Sequence, residues 1–133
     1  MTISNQEDVI DIRDVIARVE ELREARDEHN DAGTDEWMYA CAVEYAELSG
    51  LESLLDDLAG YGGDHQWESD WYPVTLIRDS YFETYAQELA SDCDMIKRDA
   101  TWPNNCIDWE RAARELQVDY SSVEFDGETF WYR

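Results

Sequence analysis

Val9, Ile12, Ile16, Val19 and Leu22 recur at steps of three and four through a stretch otherwise dominated by charged residues. With Val15 widening it, this stripe predicts an amphipathic helix from Glu7 to Glu28, one face turned to a core and the rest to water. The wet faces carry mostly one sign. Glu7, Asp11, Asp14, Glu21 and Glu28 follow one row and Glu20, Glu24, Asp27 and Asp31 the next, interrupted only by Arg13, Arg18, Arg23 and Arg26. Like charges at four-residue spacing each cost about 0.2–0.5 kcal/mol where a lysine would have helped. A helix shaped for stability alone would alternate signs, so the rows call for another explanation.

The imbalance runs through the whole chain: 33 Asp and Glu stand against 10 Lys and Arg, a formal net charge of −23. Solubility needs far less, and the excess destabilises a compact state by self-repulsion. A protein that binds nucleic acid directly needs a basic footprint to displace counterions, and none is present. An anionic membrane surface is disfavoured for the same reason. The chain is nonetheless built to fold, since 44% of it is hydrophobic and 13% aromatic, unlike a disordered acidic tail. Its 133 residues suit a single acidic domain spanning 1–133, with a helical part over 1–60 and a mixed part over 61–133.

Beyond the first helix, Asn30 to Gly33 predict a turn and Thr34 a cap for a second helix bearing Trp37, Met38, Cys41, Tyr45 and Leu48. The two would form a helical hairpin. Ser49 and Glu52 have capping-box spacing ahead of Leu51, Leu54, Leu55 and Leu58, which gives either a third helix or a continuation of the second. Gly60, Gly62 and Gly63 close it. Tyr61 to Tyr72 has neither helical nor strand periodicity and reads as a long loop before an extended segment, Pro73 to Ile77, of edge-strand character. Ser80 and Glu83 predict a capped helix with Phe82, Tyr85, Ala86 and Leu89 inward, ending near Asp92. Asp108 would cap a further helix carrying Trp109, Ala112, Ala113 and Leu116. Asp126-Gly127 between β-rich runs predicts a type I′ hairpin with Val123 opposite Phe130 and with Phe125 and Tyr132 on one face. The fold class is α+β: mostly helical, an N-terminal helical hairpin plus a small antiparallel sheet with a C-terminal β-hairpin.

Catalytic patterns are scarce. His29 and His65 lie near acids but lack a recognised metal-ligand spacing, so solvated histidine is the simpler reading. Carboxylate pairs are so abundant that no single pair points to hydrolysis. Gly60 to Gly63 lack the Lys and Ser or Thr of a phosphate loop, and no serine or cysteine stands in a nucleophile motif. Cys41, Cys93 and Cys106 are too far apart for a zinc motif and odd in number, which favours buried or half-buried thiols. Cys106 lies near a predicted helix start, where neighbouring acids would oppose thiolate formation. Trp37 and Trp109 fall on apolar helix faces, whereas Trp67, Trp71 and Trp102 sit in predicted loops, as core plugs or interface anchors. The expectation is a protein that is no enzyme and needs no cofactor or metal. The N-terminus lacks a secretory pattern and no apolar run matches a bilayer, which points to the cytoplasm.

The run Tyr81-Phe82-Glu83-Thr84-Tyr85-Ala86-Gln87-Glu88-Leu89, the segment Trp102-Pro103-Asn104-Asn105-Cys106-Ile107-Asp108-Trp109 and the terminal Phe125-Asp126-Gly127 resemble the aromatic and acidic pattern of ArdA-type antirestriction proteins of phages and plasmids. The resemblance covers the C-terminal half. It implies an elongated DNA mimic, often a homodimer, that blocks a restriction enzyme and has no catalytic residues. This chain is short for that family and its first helical half departs from it, which leaves a restriction enzyme, a CRISPR effector or another host DNA- or RNA-binding protein as the basic partner. The reading that results is a DNA-mimicking inhibitor whose contact surface is Glu7, Asp11, Asp14, Glu20, Glu21, Glu24, Asp27, Glu28 and Asp31. Adaptation to concentrated salt, or a general interaction module without mimicry, is the alternative.

Overall fold

In a computed structural model, residues 3–29, 36–93 and 102–133 are described. The turn at 30–33, the Thr34 cap and Asp31 lie outside them. The apolar stripe is helical over α1 (Ile12–His29) but not from Glu7, because Val9–Asp11 is a strand, β1. A β-branched pair, Val9 and Ile10, suits extended backbone. Asp11 then starts the helix, its Oδ1 accepting the Arg13 backbone N–H at 2.9 Å. Ile12, Val15, Ile16, Val19 and Leu22 are all buried, as the stripe requires.

The second helical segment is broken. α2 (Glu36–Ala40) and α3 (Ala42–Leu58) meet at Cys41, whose φ and ψ of −122° and 56° interrupt the helix. Ser49 and Glu52, predicted as a capping box, lie inside α3, where the leucine stripe runs uninterrupted past them. Gly60, at φ 83°, turns the chain out of α3. Gly62 is required by proximity, since a Cβ there would collide with the Tyr72–Pro73 backbone.

The predicted loop at 61–72 contains a hairpin, β2 (His65–Trp67) and β3 (Asp70–Tyr72), paired antiparallel as a separate two-stranded sheet. Next comes β4 (Thr75–Arg78), and it is not an edge. With β5 (Ser121–Phe125) and β6 (Glu128–Tyr132) it builds a sheet in the order β1-β4-β6-β5, so β4 has a neighbour on each side. The Asp126-Gly127 turn has φ of 51° and 84°, and Val123 pairs with Phe130 as its type I′ geometry demands.

Side chains alternate across this sheet and find apolar partners on both faces. Leu76, Val123, Phe125, Phe130 and Tyr132 join the large core made by α1 and α3. Ile77 points the other way, into a smaller cluster with Phe82, Ala86 and Ala113, backed by Tyr85, Tyr120 and Trp131. Phe82, Tyr85 and Ala86 come from α4 (Phe82–Asp92) and Ala113 from α5 (Trp109–Gln117), while Tyr120 precedes β5 and Trp131 lies on β6. The result is three layers, helices on either side of one antiparallel sheet. Asp108 caps α5 by accepting the Arg111 N–H at 3.2 Å. Ser80 does not cap α4: a 3-10 turn, Asp79–Tyr81, precedes that helix, and the Ser80 hydroxyl accepts from Arg78 at 2.7 Å.

Candidate functional site

One flank of α1 is held to the core by the apolar stripe, which leaves its acids on the outside. Asp14, Glu20, Glu21, Glu24, Asp27 and Glu28 are exposed on α1; Glu7 is exposed too, but it precedes β1 and so does not share the helix row expected for it. Asp11 is half-buried at the strand–helix junction, where the Arg13 guanidinium donates to it at 2.7 Å. That hydrogen bond is the main reason the Asp11 carboxyl lies below its usual range.

The arginines divide the acids into two kinds. Arg18 turns inward: its Nε and Nη2 donate to the two carboxylate oxygens of Glu47 on α3, at 2.8 and 2.9 Å. The same guanidinium reaches Glu21 at 2.9 Å, but Glu21 keeps 65% of its side-chain exposure. Arg23 bridges Glu52 at 2.9 Å and Glu68 at 2.7 Å, and lies 5.2 Å from the centre of the Trp67 ring. Burial alone would lower the pKa of Arg23; Glu52 and Glu68 outweigh it and raise the value. Arg26 pairs with Asp27 at 3.4 Å while Asp27 stays exposed. Glu24 and Glu28 form no ion pair among the described residues.

The β2–β3 hairpin extends this ridge. Trp67 Nε1 donates to Glu20 at 2.9 Å, and the turn residues Glu68 and Ser69 have φ of 48° and 72°. Left-handed backbone is uncommon for such residues. Here Arg23 and Glu20 tether the hairpin against α1, so that Glu68 stands beside Glu20, Glu24, Asp27 and Glu28 along one shallow groove. Glu68 is the surface residue that the sequence pattern did not bring to this site. No periodicity could have found it, because it arrives through a hairpin whose turn carries no turn-forming pair.

The remaining candidates are scattered. His29 is exposed at the end of α1 and His65 half-buried on β2. Among the described residues no three of His, Cys, Asp or Glu converge to hold a metal ion. Only Cys41 is half-buried; Cys93, just past the end of α4, and Cys106 are exposed rather than buried. Cys106 lies in the 3-10 turn Asn104–Cys106, upstream of the α5 start. Trp37 belongs to the core, and Trp67 packs half-buried against it, whereas Trp71 and Trp102 are exposed. Among the described residues no helix is long and apolar enough to cross a membrane. No protein-family model matches the chain, and no curated protein or solved structure does either.

Proposed function

We propose that this chain is a DNA-mimicking acidic inhibitor that occupies the positively charged nucleic-acid-binding surface of a host defence complex, of the antirestriction or anti-CRISPR type, in the cytoplasm. The observation that carries this reading is the density of exposed carboxylates at the C-terminal end of α1. Glu20, Glu21, Glu24, Asp27 and Glu28 fall within nine consecutive residues. At 1.5 Å per residue that is roughly one carboxylate per 2.5 Å of axis; with Arg23 and Arg26 in the same stretch the net density falls to roughly one charge per 4.5 Å, sparser than the 3.4 Å of a single DNA strand but of one sign along the outer face. A basic groove that recognises phosphates by charge density would accept such a ridge, and the long-range field would speed the encounter.

A second reading has its own observation. Exposed acids also stand on α3 and α5, among them Glu44, Asp56, Asp57, Glu110 and Glu115, as expected of a surface adapted to concentrated salt. The deciding experiment is competition: the chain and a short duplex DNA are titrated against a purified restriction or CRISPR complex at low salt. Displacement of the DNA by stoichiometric amounts of chain supports mimicry. A folded chain that displaces none, against complexes of both kinds, removes it.

A further inference from the structure

Beside the β5–β6 hairpin, α3 carries a second surface that the acidic ridge does not explain. Between α3 and the β5–β6 turn lies a groove of about 440 Å³ whose floor is formed by Ile3, Leu51, Leu54 and Phe125. Its helical wall is made of small residues, Ala46 and Gly50, and one turn before them Val43 stands 79% exposed. Gly50 has no role inside the fold. A Cβ built on it meets nothing within 4 Å, and its backbone is ordinary helix. A glycine in mid-helix is a weak helix former, so its presence here suits a neighbour that approaches the helix backbone from outside. The rim carries the exposed acids Glu124 and Asp126; Glu47 at its edge is already engaged by Arg18, and no cation is among the residues lining the groove. The turn that bears Asp126 is fixed, since the Asn5 side chain donates to its carbonyl at 2.9 Å.

We infer that this groove is a docking site for a cationic amphipathic helix of the partner, its apolar side chains laid between α3 and the hairpin and its lysines or arginines against the rim. Charge selects that occupant. A second copy of this chain would bring another −23 body against the same carboxylates, whereas a basic helix is attracted by them. The inference rests on the reading of the chain as a binder of basic partners. It adds a contact that salt does not screen.

Two helical peptides of equal length and lysine content test it, one with leucine and the other with glutamine at the a and d positions of its heptads. At molar salt, where screening confines charge to about 3 Å, the leucine peptide is expected to bind the wild-type chain at least about tenfold tighter than the glutamine peptide. Gly50→Leu fills the groove and should abolish that difference, while both peptides still bind at low salt. Should Gly50→Leu fail to fold by circular dichroism, Ala46→Gln, at an exposed position on the same wall, takes its place. Equal binding of the two peptides at molar salt, or a difference that survives both substitutions, overturns the groove. So does sedimentation as a dimer that Gly50→Leu dissociates, because the occupant is then a second copy. Binding of the leucine peptide alone at low salt removes the acidic-ridge reading and leaves the groove, and binding of neither removes both.

Discussion

Arg18 and Glu47 form a two-pronged ion pair between α1 and α3, with N–O distances of 2.8 and 2.9 Å and side chains only 14% and 16% exposed. One of the few cations in a strongly acidic chain is thus fixed at a helix–helix junction rather than neutralising the outer face. Hydrogen bonding to Arg18 holds the Glu47 carboxyl below its ordinary value of 4.5. A depressed carboxylate contributes stability above its unfolded pKa and loses it as pH falls through the folded one. Glu47→Gln is therefore expected to lower unfolding free energy by about 1–3 kcal/mol at pH 7. The gap between mutant and wild type should close as the pH falls below about 4.5. Urea midpoints from pH 7 to pH 3 check both; a gap independent of pH would mean that packing, not charge, joins the helices there.

Why some of this was legible in the chain and some was not follows from how far apart the deciding residues lie. The α1 stripe, the Asp108 cap and the Asp126-Gly127 turn each depend on residues within a few positions, so local spacing suffices. Val9–Asp11 is different: its strand exists because Ile10 pairs with Leu76, and within the sequence Val9 and Ile12 fit the helical step equally well. The acids of α1 could be assigned to a wet face by periodicity. Which of them an arginine would engage could not, since Arg18 and Arg23 each reach both along the surface and across to α3.

The β2–β3 turn offers a direct test of strain. Ser69 has φ 72°, a region in which glycine is at ease and serine is not. Ser69→Gly should raise stability by about 1 kcal/mol. Because Glu68 keeps its 2.7 Å ion pair with Arg23, the acidic groove should be unaffected. A lower denaturation midpoint would show that the Ser69 side chain makes a contact worth more than the strain.

Three glycines should respond to the same substitution with different signs. Gly50→Ala, in open space within α3, is expected to stabilise by about 0.5–1 kcal/mol. Gly127→Ala forces φ 84° on an alanine and should destabilise by about 1 kcal/mol. Gly62→Ala should be the most damaging, because its Cβ meets backbone at Tyr72–Pro73 and cannot be relieved by turning a side chain. Thermal or chemical denaturation of the three variants gives the ranking. A stabilising Gly62→Ala would contradict the crossing of these two segments.

Salt separates mimicry from adaptation to brine, because both use the same composition and differ in what the charge is for. Exposed charges reach about 8 Å at physiological ionic strength and about 3 Å at molar salt. A complex held by the α1 ridge should therefore weaken steeply as salt rises, while the fold, which rests on two apolar clusters, should persist at low salt. Glu24→Lys and Glu28→Lys remove two negative charges and add two positive ones at exposed positions outside any ion pair among the described residues. The double substitution should leave the helical circular dichroism unchanged and reduce competition with duplex DNA by at least about tenfold at low salt, a loss that shrinks as screening increases. A surface adapted to brine predicts the reverse: unfolding at low ionic strength, recovery at molar salt, and added stability from the two lysines through relief of self-repulsion. Circular dichroism at both salt concentrations, run beside the competition assay, distinguishes the two, and a wild-type chain that folds only in molar salt would end the mimic reading.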